Sequence, residues 1–118
     1  MSCEIPPDHE LVAFFEAEPV VLHPDTPWAY NTLDFRTLRG DIEVRCHIVS
    51  SYGDITTCLI LSGREIAKFE LRGAEALRLV VNQDQEALVV SFPQALRLDN
   101  FALQLKPRVW AAWGNRTF

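Results

Sequence analysis

The sequence predicts a mainly β protein: an antiparallel β-sandwich or closed barrel of about eight strands, with one short N-terminal helix. Three observations carry this. Apolar and polar residues alternate with a period of two through most of the chain after residue 30, the pattern of strands with one buried face. Turn residues interrupt that alternation every ~8–12 residues. Runs such as residues 55–62 are rich in β-branched side chains, which suit a pleated, half-buried surface. About eight strands are too many for one flat sheet in a chain this short, which leaves sandwich and barrel both open. The whole of 1–118 forms one domain, with 1–30 an acidic helix and Pro-rich loop docked on an antiparallel core of 31–113.

Each element has its own justification. Asp8 is placed to cap a short helix, and Glu10 lies near its positive end. Leu11, Val12, Phe14 and Phe15 supply an apolar stripe, and Pro19 stops the helix. Glu16 and Glu18 fall at the wrong end for the helix dipole, so the helix is expected to depend on docking, with Leu11 and Phe15 against the sheet. Residues 20–22 read as a short edge strand. His23, Pro24, Asp25, Thr26 and Pro27 form a loop bracketed by two prolines. Trp28 and Tyr30 follow, expected on the same side of their segment. Residues 31–38 are the next strand, with Leu33 and Phe35 on one face and Asp34 and Arg36 on the other.

The stretch 42–71 organises the rest. Ile42, Val44, Cys46 and Ile48 alternate with Glu43, Arg45 and His47. A loop at 51–54 sets Val44 opposite Leu61, Cys46 opposite Leu59 and Ile48 opposite Thr57. Gly63 and Arg64 suit a two-residue type II′ turn, which puts Phe69 beside Cys58. A three-residue loop puts Phe69 opposite Leu59 instead. A bulge reconciles the two; the reading preferred from the sequence is that both faces are partly covered. Leu77, Leu79 and Val81 then alternate along a strand, 82–85 is a polar turn, and Leu88, Val90 and Phe92 form a strand ended by Pro93. Residues 96–98 are ambiguous. Phe101, Leu103 and Leu105 make a further strand, and 109–113 the last, with Trp110 and Trp113 on opposite faces.

Composition bounds the function. The first basic residue is Arg36, and before it lie Glu4, Asp8, Glu10, Glu16, Glu18, Asp25 and Asp34, a formal −7 against −5 for the whole chain. That acidic third repels nucleic acid and suits a basic partner. No apolar run approaches the ~18 residues of a membrane span. The N-terminus has neither a basic region nor an apolar core, so it is not read as a secretory signal. Three cysteines lack metal-type spacing and are expected to be free thiols in a reducing cytoplasm. No phosphate loop, HExxH or GxSxG is present, and no cofactor is expected. His47, placed opposite Cys58, forms a possible nucleophile–base pair. His23 beside Asp25 is a weaker metal-binding motif. The aromatic residues Trp28 and Tyr30 with Asp25 and Glu18 form the candidate binding surface, because Trp and Tyr anchor interfaces.

One family resemblance is carried by Phe69, Glu70, Leu71, Arg72 and Gly73, then Leu77, Arg78 and Leu79, then residues 87–92, behind the short acidic helix. This run resembles small β-rich bacterial immunity proteins of polymorphic toxin systems. The resemblance covers about half the chain, and implies a compact β domain that binds and blocks a cognate toxin. It transfers no binding residue. The function read from the sequence is therefore a non-enzymatic protein-binding module, which the resemblance makes one of immunity type that blocks a basic partner. The runner-up is a small-ligand-binding β-barrel, and the third reading is a small enzyme using His47 or His23.

Overall fold

The computed structural model describes residues 3–114. Among these, the elements are α1 (Asp8–Phe15), β1 (Val20–Val21), a 3-10 turn (Trp28–Tyr30), β2 (Thr32–Arg39), β3 (Ile42–Val49), β4 (Asp54–Leu61), β5 (Arg64–Leu71), β6 (Ala76–Val81), β7 (Glu86–Ser91), a second 3-10 turn (Gln94–Leu96), β8 (Phe101–Lys106) and β9 (Trp110–Trp113). They build two antiparallel sheets, ordered β1-β2-β3-β4-β5 and β6-β7-β8-β9. Each sheet keeps its own edges, so the closed barrel left open by the sequence is excluded and the arrangement is sandwich-like. The physical reason lies at the corner after β5. Ala74 donates its N–H to the carbonyl of Gly53 at 2.9 Å, and the chain leaves the first sheet there to begin a second one.

One core serves both sheets. Phe15 stacks on Phe35 of β2 with ring centroids 4.3 Å apart, and Phe69 of β5 meets Phe101 of β8 at 5.0 Å. Leu11, Phe14 and Phe15 of α1 are buried in the same cluster. The helix has Pro7, not Asp8, at its N-cap, and no side chain caps it there. Pro at this end is tolerated because no helical N–H bond is lost. At the other end Glu16 turns left-handed, at φ 54°, and stops the helix before Pro19 is reached. Arg39 Nη2 lies 3.3 and 3.4 Å from the carbonyls of Phe14 and Phe15. A cation thus meets the negative end of the helix, which offsets the acidic residues there.

The β3–β4 register differs from the sequence expectation by two residues. Val44 lies opposite Leu59, Cys46 opposite Thr57 and Ile48 opposite Ile55. Because side chains alternate with a period of two, the faces are as expected even though the partners are not. Val44, Cys46 and Ile48 are buried. The shift arises at Ser50, which is fully buried and leaves the ladder. Its hydroxyl donates to the carbonyl of Trp28, its N–H donates to Asn31, and its carbonyl accepts from Cys3.

The β4–β5 connection is also corrected. Ser62 and Gly63, at φ 53° and 75°, are the two turn residues, as a type I′ hairpin requires. A bulge then lies between Leu59, paired with Ala67, and Ile60, paired with Glu65. It brings Phe69 opposite Thr57, a core position, so a bulge and not double coverage resolves the conflict.

All three cysteines are free. Burial pushes the Cys46 thiol up to about 12 from an ordinary 9.0, and pushes Cys3 up to about 11, with Glu4 adding to the shift. A raised thiol pKa means the native state keeps a proton that the unfolded chain loses. These thiols therefore leave stability unchanged below pH ~9 and lower it as pH rises from there towards 11–12. Urea midpoints measured across this range should fall for the wild type and fall less steeply for Cys46→Ala.

Glycine substitutions separate conformation from contact. A Cβ on Gly53 would lie 2.4 Å from the Ala74 carbonyl oxygen, whereas one on Gly40 meets nothing within 4 Å. Both have positive φ, 68° and 61°. Gly40→Ala should cost about 1–2 kcal/mol in chemical denaturation, the left-handed penalty alone. Gly53→Ala should cost about 1–3 kcal/mol more, from the backbone collision.

Candidate protein-binding surface

The loop before β2 is held by one side chain. Asn31, 2 % exposed, donates to the carbonyls of His23 and Thr26 at 2.6 and 2.9 Å. Its Oδ1 accepts the N–H groups of His23 and Thr32 at 3.0 and 2.8 Å. All the capacity of this amide is used, so its burial carries no desolvation penalty left unmet. The sequence reading treated Asn31 only as the start of a strand. Its position one short turn after a proline-bracketed loop, at the head of a strand, is the signal that it staples that loop.

Trp28 and Tyr30 do not share a side. A 3-10 helix has three residues per turn, so positions two apart diverge. Trp28 is half-buried and packs edge-on against Phe35, with ring centroids 6.1 Å apart. Tyr30 is 64 % exposed. It opens onto a groove of about 640 Å³ lined also by Glu4, Ile5, Glu10, Arg78 and Leu79. Glu18 lies instead with Val20 on a second groove, of about 700 Å³, on the outer face of the five-stranded sheet. Asp25 is exposed within the stapled loop. The four candidate residues thus fall in four places: a core edge, two separate grooves and a loop.

The outer face of the first sheet carries rows of both signs. Asp34, His47, Thr56 and Glu70 lie side by side across β2 to β5, and the adjacent row is Arg36, Arg45, Cys58 and Lys68. His47 Nδ1 is 2.5 Å from Asp34 Oδ1, Arg45 is paired with Glu43, and Lys68 lies 3.7 Å from Glu70. His47 is therefore opposite Thr56 and not Cys58, which corrects the proposed nucleophile–base pair. Cys58 faces Arg45 and Lys68 along its row, yet burial first, then hydrogen bonding and charge from Glu65, leave its thiol pKa raised. A raised pKa withholds the thiolate that nucleophilic chemistry needs.

The acidic first third is also unequal. Glu16 is 2.9 Å from Lys106 and 3.6 Å from Arg39. These cations hold its carboxyl below the usual range, Lys106 by a hydrogen bond and Arg39 by charge. Glu4, Asp8, Glu10, Glu18 and Asp25 are exposed and make no ion pair with a described residue. Among the described residues no three His, Cys, Asp or Glu side chains converge for a metal ion. No described helix is long and apolar enough to cross a membrane.

No family model and no curated relative matches the chain. Among solved structures, it is similar to a chain of the contact-dependent growth inhibition toxin–immunity protein complex from Klebsiella pneumoniae 342. The TM-score is 0.80 and the identity 16%, over 97% of this chain and 98% of that one. At such identity the likeness is one of fold, and it runs the full length of both chains. The resemblance to immunity proteins of toxin systems, carried in the sequence by half the chain, thus extends in structure to a partner in a toxin–immunity complex.

Proposed function

We propose that this protein is a non-enzymatic, immunity-type module that binds and blocks a basic toxin in the cytoplasm. The observation that carries the reading is the full-length fold likeness to a chain of a toxin–immunity complex. The five uncommitted carboxylates of the first third support the charge of the partner, because opposite charge speeds encounter and disfavours wrong partners. Tyr30 is the exposed aromatic anchor of this reading, Glu18 and Asp25 add exposed negative charge to the same third of the chain, and Trp28 packs inward on Phe35.

The runner-up, a ligand enclosed in a barrel, has less support. The sheets are open, and Phe15, Phe35, Phe69 and Phe101 occupy the space between them.

The test is co-expression with the product of the adjacent gene, followed by binding kinetics at low and roughly physiological (~0.15 M) salt. A complex should form, its association should slow as salt rises, and the chain should protect cells that express the toxin. Tyr30→Ala should weaken binding by about 2 kcal/mol with little loss of stability. Trp28→Ala should instead lower stability by about 2 kcal/mol, since it removes packing on Phe35. No complex with the neighbouring product, or salt-independent association, would refute the proposal.

A further inference from the structure

The geometry points to the outer edge of β6 as the place where an extended, Lys/Arg-bearing segment of the protein partner adds as a strand. This rests on the protein-binding reading and specifies its contact.

The backbone comes first. Leu77 donates its N–H to Glu4 at 2.8 Å, away from β7, and Glu4 pairs with Ala76 as a parallel bridge. Backbone groups alternate in direction along an antiparallel ladder. Since Leu77 points outward, Leu79 and Val81 point outward too. Among the described residues nothing on that side continues the bridge beyond Leu77, because the chain turns away at Pro6 and Pro7 into α1. The N-terminal segment thus fills the first position along this edge and leaves the next ones open.

Space and charge fit the same occupant. The groove beside Tyr30 holds about 640 Å³, and a smaller one of about 230 Å³ continues past Leu79 to Val81 and Glu86. Glu10 lines both, and Glu4 flanks the first; Arg78 is the cation there. A strand laid on this edge would bring side chains into the groove against Leu79 and Phe14, where Glu10 lines the same walls and Glu4 flanks the first groove. Basic side chains there meet charge complementarity, while acidic ones are repelled.

The other long edge is guarded against such pairing. β5 carries a bulge and the charged residues Arg64, Glu65, Lys68 and Glu70, devices that keep an edge from pairing. β6 has apolar Leu79 and Val81 at its open positions, and Val81 is 62 % exposed. Strand addition to a free edge takes its affinity from main-chain bonds and its specificity from alternate side chains.

The experiment is amide hydrogen exchange read by NMR, with acetyl-Lys-Val-Lys-Val-Lys-Val-amide as the probe. At ten times its Kd the peptide should slow exchange at the amides of Leu79 and Val81 by about tenfold. The peptide with Asp in place of Lys should not, and Glu10→Lys should reverse this preference. Val81→Pro removes an outward N–H and no ladder bond, so it should abolish the protection at Leu79 while the free protein's melting temperature changes little. Protection at Leu79 in the wild type keeps the test valid if that variant fails to fold. No binding of the Lys peptide, binding that leaves Leu79 unprotected, or equal binding of the Asp peptide overturns the inference. A neighbouring gene product that binds while Leu79 stays unprotected would leave the protein-binding reading intact and remove this placement alone.

Discussion

Two buried polar side chains, Asn31 and Ser50, hold together the parts of this fold that the hydrophobic pattern cannot. Asn31 ties the carbonyls of His23 and Thr26 to the start of β2. Ser50 bonds the carbonyl of Trp28, and its own backbone joins Asn31 and Cys3. Between them they connect the N-terminal segment, the proline-bracketed loop, the 3-10 turn and the β3–β4 loop. None of these segments has a ladder of its own to satisfy its backbone. Each buried carbonyl or N–H left unpaired costs about 1–3 kcal/mol, so the junction fixes the loops by making every alternative expensive. The exposure of Tyr30 and the inward turn of Trp28 both follow from where this junction puts the chain.

The sequence was most legible where burial alone decides. Strand alternation placed Val44, Cys46 and Ile48 inside, and the helix was found with Leu11 and Phe15 buried. It was least legible where polar groups decide. The two-residue register shift of β3 against β4 is invisible to alternation, because both registers bury the same faces. Only the burial of Ser50, a residue that composition assigns to a turn, distinguishes them. The bulge on β5 has the same character: Ser62 adopting positive φ moved the turn one residue earlier than Gly63 alone implied. Closure into a barrel was likewise open to the sequence, since strand count does not say whether β5 and β6 pair.

For the candidate surface, residue types were legible and their grouping was not. The acidic excess is present, but a running charge count takes no account of folding partners. Glu16 is drawn to Lys106 and Arg39, from β8 and β2, and Asp34 to His47. Spacing placed Trp28 and Tyr30 together on the assumption of extended backbone, and a single 3-10 turn separated them. The Cys58–His47 pairing failed for the reason the register did, being a two-residue displacement along β4.

The groove beside β6 depends on how α1 is anchored. Its apolar face, Leu11, Phe14 and Phe15, packs into the core and fixes its depth. Its C-terminal end is fixed separately. Arg39 reaches the last carbonyls from the first sheet, while Lys106 of the second sheet bridges Glu16 and Glu86 at 2.9 and 3.3 Å. Held at that end by both sheets, the helix closes the side of the sandwich near Phe35 and stands off from β6 near Glu10. Had the helix been secured by its apolar face alone, nothing would keep it from sliding over the half-buried Leu79 and the exposed Val81 and burying them. The exposed ion pairs add little stability one by one. Their effect is positional: they select one docking of the helix among several that would bury the same apolar residues. In that docking an apolar sheet edge stays open beside the unpaired carboxylates of Glu4 and Glu10.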